Sequence, residues 1–589
     1  MKKRQSCHLD CSLQRGSWAK VVSTMHQPAA PTALPLLASP SPLRRGALQW
    51  MLLLFFSFWM SGCVSLPSNV ERPVSTALDN PAETRLGRIV QARAAKTGTH
   101  NDSAFALVGH AELAFTSRMT LIRAAQKTLD IQYYAIFADD TTERMFEALR
   151  KAAQRGVRIR ILLDDFNSSG KNAQVLKLAF ENNIELRLFN PIPGGRGSMA
   201  LRIISNLKDT ARMQRRMHNK ILVADNTVAI TGGRNLGETY FGQSEGTNFV
   251  DVDVLAAGRI ARDLSRSFDQ YWNNPLAYPV QSLMTIEEID ALKRPAPATG
   301  ADAGKPQDAA ALPIANQAED AAANPTRTAT SPGGATTTLP ALPDSTDLSQ
   351  LNWIWAPSVM LVDKASKIAA DADDVNEAQD STVDGLLQLM SQAKTELLIV
   401  SPYFVPGKLM MSQFADLRRR GVRVRVLTNS LASNDAAAAH AGYARYREAL
   451  LAMGIELYEM RAEQEGTLRG FGSTGGSTGG SRASLHAKVV VMDQRLLVVG
   501  SMNLDLRSRL QNSEVALIIR SRALSAEATR MIEPALASGA YHVERVDGKL
   551  LWRAPQGSGL KDSAIEPDAS IGLKLLLKLI GPLAPDEML

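Results

Sequence analysis

"MHNKILVADNTVAITGGRN", residues 217–235, and "SLHAKVVVMDQRLLVVGSMN", residues 484–503, carry the same residue types at the same intervals. Each has a histidine, a lysine two places on, an aspartate five further, and an asparagine 17 residues after the histidine. The first set is His218, Lys220, Asp225 and Asn235; the second is His486, Lys488, Asp493 and Asn503. The whole chain holds only eight histidines. Residues two apart on an extended strand share a face, so each histidine projects together with its lysine. A single H-x-K-x-x-x-x-D string is suggestive, whereas two at corresponding places of a repeated unit exceed chance.

The repeat extends on both sides. "AQKTLDIQYYAIF" (125–137) is echoed by "QAKTELLIVSPYF" (392–404), "RGVRIRILLDD" (155–165) by "RGVRVRVLTNS" (420–430), and "NIELRLFNP" (183–191) by "GIELYEMR" (454–461), at offsets of 267, 265 and 271 residues. Order and spacing are both kept, which is the mark of one duplicated unit rather than a solenoid. Within each copy, β-rich runs alternate with helical ones, so the fold class is α/β with a largely parallel or mixed sheet flanked by helices. The boundaries expected are an export segment with an N-terminal extension at 1–63, a lead-in at 64–109, a first domain at 110–292, an Ala/Pro/Thr-rich linker at 293–347, a second domain at 348–545 and a C-terminal segment at 546–589. The linker composition cannot build a core. "GSTGGSTGGSRAS" (472–484) reads as a second, shorter flexible loop.

The 589 residues have the composition of an ordinary globular protein and a formal charge of +7. Most of that charge lies ahead of Cys63, where Lys2, Lys3, Arg4, Arg15, Lys20, Arg44 and Arg45 face only Asp10. Removal of that front leaves a chain near neutrality, and the electrostatic case for a nucleic-acid partner goes with it. "RRGALQWMLLLFFSFWMSGC" (44–63) resembles a bacterial lipoprotein signal, in which Cys63 is lipidated and becomes the new N-terminus. An uncleaved anchor is the alternative. Both leave Arg44 and Arg45 in the cytoplasm and the bulk of the protein in the cell envelope, facing the periplasm. Val64 in place of Asp points to the outer membrane by the usual sorting rule, so inner and outer membrane both stay open. Translation starting at Met25 is a further option. Cys7 and Cys11 lie upstream, so the mature chain has one cysteine and no intramolecular disulfide.

On these motifs the chain resembles the phospholipase D superfamily, and within it the bacterial cardiolipin synthase branch of the C type, through "IQYYAIFADDTT", "RGVRIRILLDDFN", "GGRNLGETYF", "VDVDVLAAG", "SPYFVPG" and "GSMNLDLRS". The resemblance covers about residues 110–545. It implies two tandem α/β domains related by a pseudo-twofold axis, with both motifs around one pocket. It also implies phosphatidyl transfer on phospholipid substrates (phosphatidylglycerol, with phosphatidylethanolamine as a second candidate) at a membrane. No cofactor is expected, no metal-ligand spacing is visible, and no nucleic-acid partner is expected. Two ammonium groups and two asparagine amides would stabilise a phosphodiester's developing charge. One histidine would attack phosphorus and the other would serve as acid and base; the family pattern favours His218 as nucleophile and His486 as acid/base.

Each imidazole needs an acceptor on its other nitrogen. Glu514 matches the family's orienting carboxylate. In the first copy the candidates are Asp251 and Asp253, and aligning "DVLAA" with "EVALI" favours Asp253. By resemblance, Asp225 and Asp493 anchor strand and turn. His110, His440 and His542 are read as satisfied core histidines. Tyr133, Tyr134, Tyr403 and Phe404 are read as core, with the pocket mouth as the alternative. Asp164 and Asp165 are either headgroup ligands or a solvated strand end. The tail "IGLKLLLKLIGPL" (571–583) fits a membrane surface and docking on the main domain equally well. The rivals to a transferase are a phospholipase D-type hydrolase, a nuclease, and a scaffold with a dead site.

Overall fold

The computed structural model describes residues 65–98, 102–207, 209–244, 246–291, 342–369, 381–463 and 482–580, with short pieces at 329–330, 336–337 and 586. The expected export segment, including Cys63, and most of the two flexible stretches lie outside these residues. Among the described residues no helix is long and apolar enough to cross a membrane.

The first copy supplies strands β1 (Ser103–Val108), β2 (Thr128–Tyr133), β3 (Arg158–Asp164), β4 (Ile184–Phe189), β5 (Ile221–Ala224), β6 (Val228–Gly232), β7 (Thr247–Val250), β8 (Asp253–Ala257) and β9 (Ala277–Pro279). All but β7 join one sheet in the order β1, β8, β6, β5, β2, β3, β4, β9. The pairs β2–β3 and β3–β4 are parallel and the others antiparallel, so the sheet is mixed. The second copy repeats this order with strands Ser358–Val362, Val515–Arg520, Leu496–Gly500, Val489–Met492, Glu396–Val400, Arg423–Asn429, Glu456–Met460 and Ala540–Val546.

Strand alternation decides which core each side chain enters. Ile221 and Val223 of β5, with Val489 and Val491 of its counterpart, fill a core shared by the two sheets. Leu222 and Ala224 face the helices of the first copy. Val490 and Met492 face those of the second. Two sheets packed face to face with helices outside are one layered body, joined by side-chain packing, short strand contacts and hydrogen bonds such as Tyr271 Oη to the Asp363 carbonyl at 2.7 Å.

Three expected boundaries shift. β1 already belongs to the first sheet, ahead of residue 110. Strand Ile354–Ala356 pairs with β1, so the chain leaves the first sheet only at Pro357, not at 348. Strand Lys549–Arg553 continues the second sheet past 545. The end of the expected linker is also docked: Leu342 is buried in the first core, and Arg144 pairs with Asp344 at 2.6 Å. The tail helix Ile571–Ile580 packs on helix Ala437–Ala452. Of the three histidines read as core, only His440 is buried; His110 is exposed, and His542 is half-buried against Tyr458.

Candidate active site

β5 and β6 form a tight hairpin whose first two turn residues, Asp225 (φ 50°) and Asn226 (φ 51°), are left-handed; Asp493 and Gln494 repeat it in the second copy. Asn and Asp tolerate that region better than bulkier residues. The Asp225 carboxylate accepts backbone N–H groups of Gln126, Lys127 and Thr128, the last two at 2.7 and 3.0 Å, and so ties the start of β2 to the hairpin. Asp493 does the same for Lys394, Thr395 and Glu396. Neither touches the histidines among the contacts described, in keeping with an anchoring role.

The histidines stand just ahead of their hairpins, and each is seated on the other copy. His218 N–H donates to the carbonyl of Ser513 at 2.9 Å, and Ser513 N–H donates to that of Arg216 at 3.0 Å. Reciprocally, His486 N–H donates to the carbonyl of Val250 at 2.8 Å, where strand Arg482–Leu485 pairs in parallel with β7. The orienting carboxylates are exchanged in the same way. His218 Nδ1 donates to Glu514, with both oxygens at 3.0 Å, and His486 Nδ1 donates to Asp251 Oδ2 at 2.7 Å. Such reciprocity is what a pseudo-twofold produces.

Asp253, the expected partner, is not at the site. It forms a buried ion pair with Arg118 at 2.9 Å and Arg234 at 3.2 Å. The sheet register explains the error. Gly232 faces Asp253 while its counterpart Gly500 faces Ala516, so Asp251, two residues earlier, is the true equivalent of Glu514. Local composition also fits: a Cβ at Gly233 would collide with the Asp251 carboxylate, whereas the second copy has Ser501 there, whose hydroxyl donates to Glu514 at 2.5 Å. Ser508 Oγ adds a second donor at 2.9 Å.

Lys220 and Lys488 fold back so that their ammonium groups donate to the carbonyls of His218 and His486, at 2.7 and 2.6 Å. Burial lowers both, Lys220 to about 7 and Lys488 to about 8, each partly offset by Glu514 and Asp251. His218 is held well below the usual imidazole range by burial and then by Lys220, Lys488 and Arg507; His486 likewise by burial, Lys488 and Lys220, with Asp435 opposing. Burial raises Glu514 and Asp251 against the pull of the lysines. Each imidazole is therefore neutral, with Nδ1–H fixed on a carboxylate and the Nε2 lone pair available. Asn235 Oδ1 accepts from Ala135 N–H at 3.2 Å and its amide donates to Tyr240 Oη at 3.0 Å. Asn503 Oδ1 is buried and has no hydrogen-bond partner among the described residues.

The tyrosine pairs divide. Tyr133 and Phe404 are core, whereas Tyr134 stands edge-on to His218 at 5.0 Å and Tyr403 donates to Asp435 at 2.7 Å. Asp164 and Asp165 are neither headgroup ligands nor solvated. Asp164 pairs with Arg216 at 2.8 Å and Asp165 with Arg196 and Arg202, all fully or nearly fully buried. Sequence reasoning did not single out Tyr240, Phe249, Asp435 or Arg507; the Arg507 signal was present in "GSMNLDLRS". Among the described residues no cluster of three or more His, Cys, Asp or Glu could hold a metal ion.

Comparison with known proteins agrees with the two-copy fold. A family profile described as "Cardiolipin synthase, PLD-like domain" matches residues 119–272 and 386–535, one match per copy. Cardiolipin synthase C of Escherichia coli is 37% identical over 417 residues, 70% of this chain and 80% of that protein. An uncharacterized protein of Helicobacter pylori is 30% identical over 538 residues, 89% of this chain and 97% of its own length. The crystal structure of a Haemophilus influenzae phosphatidylserine synthase matches 85% of this chain and 100% of its own, with a TM-score of 0.50 at 13% identity, which shows a shared fold.

Proposed function

The chain belongs to the cardiolipin synthase, PLD-like domain family and is a phosphatidyltransferase of the phospholipase D superfamily; on that premise we propose that it makes cardiolipin from phosphatidylglycerol through a phosphohistidine. The observation that carries the reading is the exchange of carboxylates, His218 on Glu514 and His486 on Asp251, beside two buried lysines.

In the first step His218 Nε2 attacks the phosphorus of phosphatidylglycerol. An N–P bond forms, the P–O bond to glycerol breaks, and His486, which takes a second proton on Nε2 when the phosphodiester anion binds, passes that proton to the departing alkoxide. In the second step a lipid hydroxyl passes its proton to His486 while its oxygen attacks phosphorus, and the N–P bond breaks to free His218. Lys220 and Lys488 neutralise the phosphoryl oxygens, whose charge grows in both transition states. The surroundings of the two imidazoles support this assignment. His218 faces a third cation, Arg507, which favours the unprotonated nucleophile, whereas His486 faces Asp435, which favours carrying a proton. Water in place of the lipid alcohol would make the same site a phospholipase D, with phosphatidic acid as product.

The export segment completes the reading: a lipidated Cys63, or an uncleaved apolar anchor, would hold the enzyme on the periplasmic side of a membrane. The test is mass-spectrometric lipid analysis of protein given phosphatidylglycerol vesicles, with and without phosphatidylethanolamine, beside His218→Ala and His486→Ala. Cardiolipin that disappears in both variants is the expected result. Phosphatidic acid alone makes the chain a hydrolase, and no turnover in the wild type refutes the proposal.

A further inference from the structure

The segment that leads from β4 to His218 exposes large apolar side chains beside the site. Helix Met199–Ser205 and the turn after it present Leu201, Ile204 and Leu207 to solvent, at 67%, 53% and 60% exposure. Leu201 and Ile204, three residues apart, share one side of the short helix, and Leu207 follows in the turn. Three such residues close together are the kind of patch a soluble surface avoids unless something covers it.

The helix is bolted down. Arg202, on the same helix and 1% exposed, donates to Asp165 Oδ2 at 2.6 Å and to the carbonyl of Ile192 at 2.9 Å. Arg196, just ahead of the helix, reaches the other oxygen of Asp165. The neighbouring carboxylate, Asp164, accepts from Met217 N–H at 2.8 Å, one residue before His218. Two consecutive carboxylates thus fix the apolar helix on one side and the histidine segment on the other.

We infer that Leu201, Ile204 and Leu207 insert into the surface of a phospholipid bilayer and hold the pocket against the layer that contains its substrate. The choice of a bilayer over a protein partner rests on the lipid-substrate reading above and on charge. After the helix the sequence carries Lys208, Arg212 and Arg215 against a single acid, Asp209, and Asp209 is already paired with Arg212 at 2.9 Å. An apolar outcrop followed by a basic run matches an anionic lipid surface.

The probe is an environment-sensitive fluorophore on Ile204→Cys in the full chain, with the labelled parent chain as background, mixed with phosphatidylglycerol vesicles that carry acyl-chain nitroxides. Insertion shifts the emission of the label to the blue and quenches it. A label that keeps its aqueous emission overturns the inference. So does a shift that appears without vesicles and grows with protein concentration, which would seat a second copy on this face. In parallel, Leu201→Ser/Ile204→Ser/Leu207→Ser should turn over vesicular phosphatidylglycerol about tenfold more slowly and short-chain monomeric phosphatidylglycerol at the parent rate. Equal loss on both substrates would make the helix a support of the site and overturn the inference. Insertion without any turnover would sink the synthase reading and leave this one standing.

Discussion

Replacing Glu514 by Gln tests the exchanged pairing without emptying space. The side chain is fully buried, and it accepts from His218 Nδ1 at 3.0 Å, Ser501 Oγ at 2.5 Å and Ser508 Oγ at 2.9 Å. A glutamine can keep the bond from His218 through its carbonyl oxygen, which also keeps one hydroxyl as donor, and the other hydroxyl, on the second oxygen's side, can rotate to accept from its amide. Only the charge is lost. When His218 bears the phosphoryl group its ring is cationic, and charge centres about 4 Å apart at an effective dielectric of about 20 attract by about 4 kcal/mol. Losing that attraction in the transition state corresponds to about a thousandfold in kcat. The assay is initial cardiolipin formation from phosphatidylglycerol, with thermal melting as a check on folding. A folded Glu514→Gln variant within threefold of the parent rate would refute the reasoning.

Asp251→Asn should behave as its mirror image and slow proton transfer through His486 by a similar order, read in the same assay. Asp253→Asn should instead strand Arg118 and Arg234 in the core and cost about 3 kcal/mol of stability, seen as a lower melting temperature with near-parental turnover per folded molecule. For pH, Lys220 and Lys488 sit near 7 and 8 against an ordinary 10.5, so above pH 7 the unfolded chain holds more protons on them than the folded one. Stability of the free protein therefore gains from these two groups as pH rises from about 7 toward 10.5. kcat/KM should fall above pH 7, and more steeply above pH 8, as the two lysines lose the charge that binds phosphate, and a flat profile to pH 9.5 would contradict this. Alkaline-quenched wild-type protein should carry a phosphatidyl adduct on the peptide containing His218, found by mass mapping; an adduct on the His486 peptide would reverse the assigned roles.

Much of the site was legible because the duplication wrote it twice. His218, Lys220, His486 and Lys488 share one site, and strand alternation placed each lysine on the face of its histidine. Glu514 was legible through the family resemblance, whereas comparing the two copies by letter led to Asp253. What failed was whatever depends on register or on distant partners. "DVLAA" resembles "EVALI" by letter, but the carboxylate that reaches histidine lies before the strand rather than on it, and only the pairing of Gly232 with Asp253 reveals the slip. Asp164 and Asp165 look like a polar strand end because Arg196, Arg202 and Arg216, which bury them, come 31 to 52 residues later. The crossover at Pro357 was hidden because Ile354–Ala356 joins the first sheet after a linker that reads as its end.

The stereochemical course at phosphorus tests the central claim most directly. With a phosphatidylglycerol phosphorothioate of known configuration as donor, two successive in-line displacements through His218 predict thio-cardiolipin with that configuration retained. Inversion would mean a single direct transfer from donor to acceptor, and would contradict a phosphohistidine in this pocket.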